Sequence, residues 1–169
     1  MKVKYLDLKN KRVFISGGGS GIGAKIVEHF CEQNSEVYFI DIDIKASKKL
    51  IKDIKKKRLR SPNFIECNIL DIKKLQNIIK EIINKKGPIH CLINSAANDD
   101  RHTTEQVDEK YWENRMGINL KHYFFAAQAV VKGMKKIKTG SIVNLSSVSW
   151  MLGEGDKVVY ETAKSAVIG

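Results

Sequence analysis

The chain has 169 residues, an apolar fraction of 43% and a formal net charge of +11. A chain of this length can bury one sizeable core, so we expect a single domain over residues 1–169, and the apolar fraction is too high for a disordered protein. No apolar run reaches the roughly 18 residues that a membrane helix needs, and the N-terminus lacks the features of a secretion signal. These features predict a cytoplasmic protein that does not bind a membrane.

The positive charge is spread over several predicted helices, and the densest run is Lys55, Lys56, Lys57 and Arg58. This run closes an amphipathic segment, where basic residues suit the C-terminal end of the helix dipole. It lacks the interleaved aromatic residues of a single-strand binding surface, so we expect no nucleic-acid partner. The cysteines are widely spaced and form no Cys/His cluster, so we expect reduced thiols and no metal site.

Short β-rich segments alternate along the chain with longer segments of helical apolar spacing. The predicted strands cover residues 12–16, 36–40, 63–67, 89–93 and 141–145. The predicted helices run from residue 22, over about 46–58, from 72 to the Gly87-Pro88 stop, over about 108–138, and from Tyr160. Strands separated by helices of this length form right-handed βαβ units, so we expect an α/β fold with a doubly wound parallel sheet of the Rossmann type.

The chain ends at Gly169, soon after the last predicted helix begins. The fifth predicted strand would then be a bare sheet edge, with one face short of helical cover. We therefore expect a chain that is incomplete at its C-terminus and lacks the last strands and helices of such a fold.

A glycine-rich segment links the first predicted strand to the first predicted helix. Its residues are Ser16, Gly17, Gly18, Gly19, Ser20, Gly21, Ile22 and Gly23. In this context Gly17 can make a tight turn, while Gly21 and Gly23 let the backbone approach a pyrophosphate and the helix pack close to the sheet. The helix N-terminus then faces the phosphates. The segment predicts a dinucleotide site, and the alternative is a glycine-rich loop of purely structural use.

Asp41 stands at the end of the second predicted strand. An acid at this point can accept both hydroxyls of an adenosine ribose and repels a 2′-phosphate. The glycine-rich segment has Ser20 rather than an arginine that could bind that phosphate. We therefore predict NAD rather than NADP as the cofactor. The alternative is that Asp41 only caps the next helix, a role that suits Asp43 better.

Ser147, Tyr160 and Lys164 follow the fifth predicted strand. The spacing of Tyr160 and Lys164 places both side chains on one face of a helix. A phenol is a poor base at neutral pH, but a neighbouring ammonium favours its phenolate form. Ser147 can hydrogen-bond the reacting oxygen of a substrate. A Tyr-x-x-x-Lys pair alone is frequent by chance. Together with a glycine-rich segment that follows a strand, and with a serine upstream, it is a specific signal for a catalytic site.

These motifs resemble the short-chain dehydrogenase/reductase family, and the resemblance covers essentially the whole chain. The glycine-rich segment resembles the family's T-G-x-x-x-G-x-G, with Ser16 in place of threonine. The segments Asn94-Ser95-Ala96-Ala97 and Gly117-Ile118-Asn119-Leu120 resemble two further family motifs. The resemblance implies a catalytic tetrad of Asn119, Ser147, Tyr160 and Lys164. Tyr160 would take the hydroxyl proton, Lys164 would also bind the nicotinamide ribose, and Asn119 would hold a water that links the lysine to solvent.

The resemblance also implies a set of contacts to the cofactor. These comprise Ser16, Gly17, Gly19, Ser20, Gly21, Ile22, Gly23, Asp41, Asn68, Ile69, Asn94, Ser95, Ala96, Tyr160 and Lys164. Two departures from the family pattern concern this set. Asn68 lies where the family often has an aspartate near the adenine, and its side-chain carbonyl can still accept a hydrogen bond. Ser95 and Ala97 alter the fourth-strand motif but keep small residues there.

Two segments point to a substrate class: Asn98-Asp99-Asp100-Arg101-His102 and Ser149-Trp150-Met151-Leu152-Gly153. They resemble the NAD-dependent aldose 1-dehydrogenases of the family, which oxidise D-xylose and similar sugars. This implies hydride transfer from C1 of the sugar to NAD, giving the aldono-lactone. Polar side chains can bind sugar hydroxyls, and an indole can lie against a pyranose face. The candidate substrate contacts are Asn98, Asp99, Ser147, Ser149, Trp150 and Tyr160, with Glu154 a weaker candidate.

Several alternatives stay open at this point. The 98–102 segment could be a loop in which Asp99, Asp100 and Arg101 form a stabilising ion pair, with Trp150 serving only for packing. The enzyme could instead be a 3-oxoacyl or other keto-group reductase. The chain could also bind NAD without turnover, or be a basic nucleic-acid binder. Family members usually form dimers or tetramers, partly through the long helix predicted here over about 111–134, so the resemblance also allows a homo-oligomer.

Overall fold

The chain folds as an alternation of strands and helices, described for residues 3–168 in a computed structural model. The strands are β1 (Arg12–Ser16), β2 (Glu36–Asp41), β3 (Asn63–Glu66), β4 (Cys91–Asn94) and β5 (Ser141–Asn144). The helices are α1 (Gly21–Glu32), α2 (Ile44–Lys56), α3 (Ile72–Lys86), α4 (Glu109–Met116), α5 (His122–Ile137), α6 (Ser149–Leu152) and α7 (Val158–Ala166). Short 3-10 turns lie at Leu6–Leu8 and Thr104–Gln106.

The five strands form one parallel sheet in the order β3-β2-β1-β4-β5. The chain winds outward from β1 in one direction and from β4 in the other, so the predicted doubly wound architecture is confirmed. In the register of the sheet Ser16 lies beside Asn94, and Asn94 lies beside Asn144. A sheet of this topology opens a crevice at the carboxyl ends of its strands where the winding reverses, here between β1 and β4.

Alternate residues of the central strands enter two separate cores, one on each face of the sheet. Phe14 and Leu92 pack with Leu75 of α3 and Val130 of α5. On the other face, Val13, Ile15, Val37, Phe39 and Ile93 pack with the apolar sides of α1 and α2. Both faces of the central strands are therefore covered, which is why these strands are continuously apolar.

The β5 strand lies at the edge of the sheet and is poorly covered. Its apolar residues Ile142 and Val143 are 39% and 46% exposed. This agrees with the expected bare edge, because β5 pairs with β4 but has little helical cover on its faces.

The predicted long helix over about 108–138 contains one irregular turn. α4 and α5 are separated by a π-helical turn, Gly117–Lys121. A Cβ atom at Gly117 would lie 2.7 Å from Cδ2 of Leu70, and the turn buries Asn119 completely. A π turn inserts an extra residue into a helix and shifts the residues that follow. The predicted long helix is therefore present, and the π turn within it was not predicted.

Other element bounds differ from the predictions by a few residues. α2 begins at Ile44, because the Asp43 side chain caps it by accepting a hydrogen bond from the N–H of Ala46 at 2.8 Å. β4 begins at Cys91, although the N–H of His90 still donates to the carbonyl of Arg12. α6 and both 3-10 turns were not predicted.

No helix within residues 3–168 is long and apolar enough to cross a membrane. Over the same residues, no group of three or more His, Cys, Asp and Glu side chains is arranged to hold a metal ion. Cys31, Cys67 and Cys91 are free thiols, and burial raises the pKa of each of them.

Candidate active site

A cavity of about 720 Å³ opens at the carboxyl ends of the strands. Its size and its place at the switch point of the sheet are typical of a ligand site. Many of the residues predicted for the cofactor and for catalysis line it: Gly17, Ser20, Gly21, Ile22, Gly23, Asp41, Asn68, Ile69, Ser95, Ala96, Tyr160 and Lys164. Of the predicted substrate contacts, Asn98, Asp99 and Tyr160 line the same cavity.

The glycine-rich segment has a separate physical requirement at each of three positions. Gly17 has a φ of +68°, and a Cβ atom there would lie 2.6 Å from Cα of Ala96. A Cβ atom at Gly23 would lie 1.9 Å from the carbonyl oxygen of Gly17, so α1 approaches the turn too closely for any side chain. Gly21 has a φ of +53° and no atom within 4 Å of its Cβ position. The space beside Gly21 is therefore open to the cavity rather than filled by packing.

The first turn of α1 is free to receive an anion. Ser20 precedes the helix, and its side chain makes no capping hydrogen bond. The first N–H groups of a helix lack partners within the helix and carry a partial positive charge. Together with the open space at Gly21, this arrangement fits the diphosphate of a dinucleotide.

Asp41 is held in a fixed orientation at the rim of the cavity. Its carboxylate accepts hydrogen bonds from the N–H of Gly19 at 2.8 Å and of Asp43 at 2.9 Å. The cap of α2 is provided by Asp43, so the alternative that Asp41 serves only as a helix cap is wrong. Asp41 is thus free to present its remaining acceptor sites to a ligand.

Three residues predicted to contact the cofactor, Ser16, Gly19 and Asn94, lie behind the cavity wall rather than on it. The buried Ser16 hydroxyl oxygen accepts hydrogen bonds from the N–H of Ser95 at 3.2 Å and of Ala96 at 3.3 Å. The buried Asn94 amide donates to Oδ1 of Asn144 at 2.8 Å. A Cβ atom at Gly19 would meet the Asp41 carboxylate at 2.9 Å. These residues therefore act on the site indirectly, by positioning the segments that line the cavity.

Tyr160 and Lys164 lie one turn apart on α7, as predicted. The Nζ atom of Lys164 lies 5.6 Å from the centre of the Tyr160 ring. It donates hydrogen bonds to the carbonyl of Leu145 at 2.7 Å and to the hydroxyl of Tyr123 at 2.8 Å. Lys164 is only 1% exposed, and this burial lowers its pKa to about 8. The ammonium is therefore still the main form at neutral pH.

Asn119 lies in the π turn and does not line the cavity. Its side-chain oxygen accepts from the N–H of Asn98 at 2.8 Å, and its amide donates to the carbonyl of Asn98 at 2.9 Å. This pair of hydrogen bonds fixes the start of the loop that follows β4. The predicted water-mediated link to Lys164 stays a prediction.

The predicted substrate contacts Ser147, Ser149 and Trp150 are not among the residues that line the cavity. The Ser147 hydroxyl lies 2.9 Å from that of Ser149, and it also accepts from the N–H of Ser149 at 3.2 Å. Ser149 is buried in α6, and the neighbouring Trp150 is 36% exposed. Ser146 lines the cavity instead. The hydrogen bonds of the Ser147 hydroxyl are made to the first residue of α6, a helix that was not predicted.

The acidic loop after β4 divides into two parts. Asp99 lines the cavity, whereas Asp100 forms an ion pair with Arg115 at 2.7 Å and Arg101 forms one with Asp156 at 2.6 Å. The alternative of an ion pair among Asp99, Asp100 and Arg101 is thus wrong, because Asp100 and Arg101 each pair with a residue of another segment. The weaker candidate Glu154 forms an ion pair with Lys157.

Sequence reasoning missed two buried residues beside Lys164. His122 lies 3.4 Å from the hydroxyl of Ser16 through its Nε2 atom, and burial together with the charge of Lys164 lowers its pKa to about 3. The Tyr123 hydroxyl donates to the carbonyl of Leu145 at 3.1 Å, and burial raises its pKa. The only feature of the sequence that could have indicated them is that His122 and Tyr123 lie on the apolar face of a predicted helix. Sequence reasoning also did not include Leu145, Ser146 and Cys67 in the cavity lining.

Comparisons with known proteins agree on the family. The sequence profile of the short chain dehydrogenases matches residues 11–169, and the chain belongs to this family. It is 41% identical over 165 residues to D-xylose 1-dehydrogenase of Caulobacter vibrioides, and 37% identical over 166 residues to the probable galactose dehydrogenase GalD of Rhizobium meliloti. Each alignment covers 98% of this chain, which spans 64% and 65% of the length of these relatives.

Solved structures show the same fold. The ligand-free aldohexose dehydrogenase of Thermoplasma acidophilum superimposes with a TM-score of 0.85 at 27% identity, covering 98% of this chain and 60% of the other. This fold implies a nicotinamide dinucleotide as the cofactor. The residues present fit such a group, because the uncapped start of α1, the open space at Gly21 and the Asp41 carboxylate all border one cavity.

Proposed function

We propose that this chain carries the NAD-binding and catalytic residues of a sugar dehydrogenase, which oxidises C1 of an aldose such as D-xylose to the aldono-lactone. One observation carries the proposal. Tyr160 and Lys164 line the same cavity as Asp41 and the polar pair Asn98 and Asp99. A cofactor site, a proton acceptor and a polar substrate site are thus continuous.

The preference for NAD rests on Asp41. Two backbone N–H groups hold its carboxylate at the cavity rim. A fixed carboxylate accepts hydrogen bonds from ribose hydroxyls and repels a 2′-phosphate at the same position. The lining contains Asp43 as a second acid nearby, which adds to that repulsion.

The proposed reaction removes a proton and a hydride from the sugar. When bound, NAD would supply the hydride acceptor for C1, while the electron pair of the O–H bond forms the lactone carbonyl. Tyr160 as phenolate takes the hydroxyl proton, and the Lys164 ammonium stabilises that phenolate electrostatically. Burial of Lys164 strengthens this interaction, because a charge acts more strongly where water is excluded. The pKa of Lys164, about 8, leaves the ammonium present at neutral pH.

The charges of the cavity favour a neutral, hydroxyl-rich substrate. Three carboxylates, those of Asp41, Asp43 and Asp99, line it, and Lys164 is the single lysine or arginine among the described lining residues. A substrate that carries a phosphate would meet electrostatic repulsion from these carboxylates. Asn98 and Asp99 can instead bind sugar hydroxyls. The relatives named D-xylose and galactose dehydrogenases support the same substrate class.

A second candidate function is binding of the cofactor without turnover. It is favoured by the position of Ser147, whose hydroxyl is engaged with Ser149 outside the cavity lining. Without a serine at the reacting oxygen, the site would bind a dinucleotide but would activate a sugar poorly.

We also propose that the protein forms a homo-oligomer through the helical layer of α4 and α5. Phe124 is 66% exposed, and Trp112 and Val131 are also partly exposed on this layer. Exposed large apolar side chains on adjacent helices are typical of a subunit interface. Light scattering on the purified chain tests this.

Absorbance of NADH tests the proposed function directly. The purified chain is mixed with NAD and, separately, with D-xylose, L-arabinose, D-glucose and L-fucose, and NADP and a 3-oxoacyl thioester with NADPH serve as comparison reactions. NADH formation with a pentose that is lost in Tyr160→Phe supports the sugar dehydrogenase. Cofactor binding, seen by fluorescence titration, with no turnover on any substrate supports the second candidate. Turnover of the thioester with NADPH but not of sugars contradicts both.

A further inference from the structure

The helix that carries Tyr160 and Lys164 is not capped by the side chain of the residue that precedes it. Lys157 precedes α7, and its side chain makes no capping hydrogen bond. The first N–H groups of a helix need partners from outside the helix when they are buried. The N–H of Val159 finds such a partner in Nε2 of His102, at 3.4 Å and in a buried environment. His102 belongs to the loop after β4 and is itself buried.

This contact determines where the proton of the imidazole lies. A neutral imidazole has one donor and one acceptor nitrogen. Because Nε2 accepts from Val159, the hydrogen is on Nδ1, which lies 2.8 Å from the hydroxyl of Tyr111 and 3.2 Å from the carbonyl of Asp100. The His102 and Tyr111 rings are also in contact, with centres 4.9 Å apart. The imidazole is therefore held on both sides, by α4 and by α7.

The residues next to His102 also attach the loop after β4 to α4 and to the segment that leads into α7. Asp100 forms an ion pair with Arg115 of α4, whose guanidinium lies 4.9 Å from the centre of the Tyr111 ring. Arg101 pairs with Asp156, and the N–H of His102 donates to the carbonyl of Asp156 at 2.6 Å. The loop that begins with the cavity residues Asn98 and Asp99 thus ends on the segment that leads into α7.

We propose that His102 is a positioning residue for Tyr160. By capping Val159, it fixes the residue next to Tyr160 and sets the phenol relative to Asn98 and Asp99. The cap requires the neutral ring with its proton on Nδ1, since a protonated Nε2 cannot accept from an N–H group. The effect on catalysis rests on the proposed function, whereas the cap itself does not.

Amide hydrogen exchange tests the cap independently of activity. Two variants form a matched pair: His102→Gln can place its amide oxygen near the position of Nε2, whereas the shorter side chain of His102→Asn cannot reach Val159. We expect the Val159 amide to exchange about tenfold faster in H102N and to stay near the wild-type rate in H102Q. His29→Gln, an imidazole replaced on the exposed side of α1, should leave this amide unchanged.

Kinetics then test positioning. We expect kcat for NADH formation to fall about tenfold in H102N and to recover in H102Q, with the dissociation constant for NAD unchanged in both. Equal exchange of the Val159 amide in H102N and H102Q would overturn the cap, and so would wild-type protection in both variants. Equal kcat in the wild type and H102N would overturn the positioning role. A wild-type chain that forms no NADH contradicts the proposed function instead, and the exchange data still decide on the cap.

Discussion

The Nζ atom of Lys164 donates a hydrogen bond to the hydroxyl of Tyr123 at 2.8 Å. Both groups also donate to the carbonyl of Leu145, so that the ammonium, the phenol and the carbonyl form a closed triangle of hydrogen bonds. Lys164 and Leu145 line the cavity, and the triangle offsets part of the free energy lost by burying the lysine charge. The properties of Lys164 therefore depend on a residue that is not part of the predicted tetrad.

Tyr123→Phe should lower the pKa of Lys164 below its present value of about 8. The change removes an acceptor from the ammonium, and a hydrogen bond to a charged group contributes about 1.5–3 kcal/mol. This corresponds to a fall of roughly one to two pH units in the titration midpoint. NMR titration of the lysine side chain measures this directly. Tyr5→Phe, at an exposed phenol, is the matched control, and an unchanged midpoint in Tyr123→Phe would contradict the prediction.

Lys164→Met should abolish NADH formation and stabilise the fold at neutral pH. The pKa of Lys164 is about 8 in the folded protein, against 10.5 for a free lysine. Because the folded state binds this proton less tightly, burying the charge destabilises the fold below pH 8, and the penalty fades as pH rises towards 10.5. We expect the variant to gain roughly 1–3 kcal/mol in the free energy of unfolding at pH 7.

Urea unfolding at pH 7 and pH 10 measures this gain. Its size should shrink at the higher pH, because the wild-type lysine is then neutral when folded. A variant that is less stable than the wild type at pH 7 would show that the hydrogen bonds to Tyr123 and Leu145 outweigh the burial of the charge.

His122→Gln should make the protein more resistant to acid. Burial and the nearby Lys164 lower the pKa of His122 to about 3, from 6.5 for a free histidine. As pH falls below 6.5 the unfolded chain takes up a proton that the folded chain cannot, so stability falls until about pH 3. At pH 4 this amounts to about 3 kcal/mol, which the uncharged glutamine removes.

The readout for His122 is the pH midpoint of acid unfolding, followed by circular dichroism. His29→Gln serves as the control, because its ring is exposed on α1. If both variants unfold at the wild-type pH, protonation of His122 does not drive the transition.

Two glycine substitutions should separate folding from cofactor binding. Gly23→Ala should unfold the protein or destabilise it severely, because its methyl group would lie 1.9 Å from the carbonyl oxygen of Gly17. Gly21→Ala meets no atom within 4 Å, and its φ of +53° should cost only about 1–2 kcal/mol. Its methyl group would, however, enter the space that we assign to the diphosphate.

Urea unfolding and fluorescence titration with NAD distinguish the two effects. We expect Gly21→Ala to fold and to bind NAD at least about tenfold more weakly. Gly155→Ala, at a glycine with open space and no positive φ, is the control for a general effect of an added methyl group. Normal NAD binding by Gly21→Ala would contradict the assignment of the diphosphate site.

The parts of the fold that depend on local pattern were predictable. β1 and β2 are continuously apolar because both faces of the central sheet are covered, and the glycine-rich segment between β1 and α1 has a recognisable spacing. The parts that depend on contacts between residues far apart in the chain were not predictable. At the π turn, Gly117 lies close to the side chain of Leu70, and the Asn119 side chain is oriented by its hydrogen bond with Asn98. Both contacts join segments that are distant in the chain, so the apolar spacing of the helix could not predict them.

The same distinction applies to the candidate site. Tyr160, Lys164 and Asp41 could be placed from their spacing relative to strands, because parallel strands bring their carboxyl ends to one edge. The position of Ser147 could not, since it depends on the short helix α6 and on a hydrogen bond to Ser149. The contact from His102 to Val159 joins segments that are distant in the chain, and a local pattern carries no information about such a pair.

The hydroxyl of Ser16 accepts from the N–H groups of both Ser95 and Ala96, directly beyond the last pair of residues that joins β1 to β4. Strands β1 and β4 therefore cannot separate at the crevice without breaking these hydrogen bonds together with their own ladder. The floor of the crevice is rigid, and it cannot act as a hinge. Any motion that admits or releases a ligand must then occur in the other lining segments, among them the loop after β4 with Asn98 and Asp99.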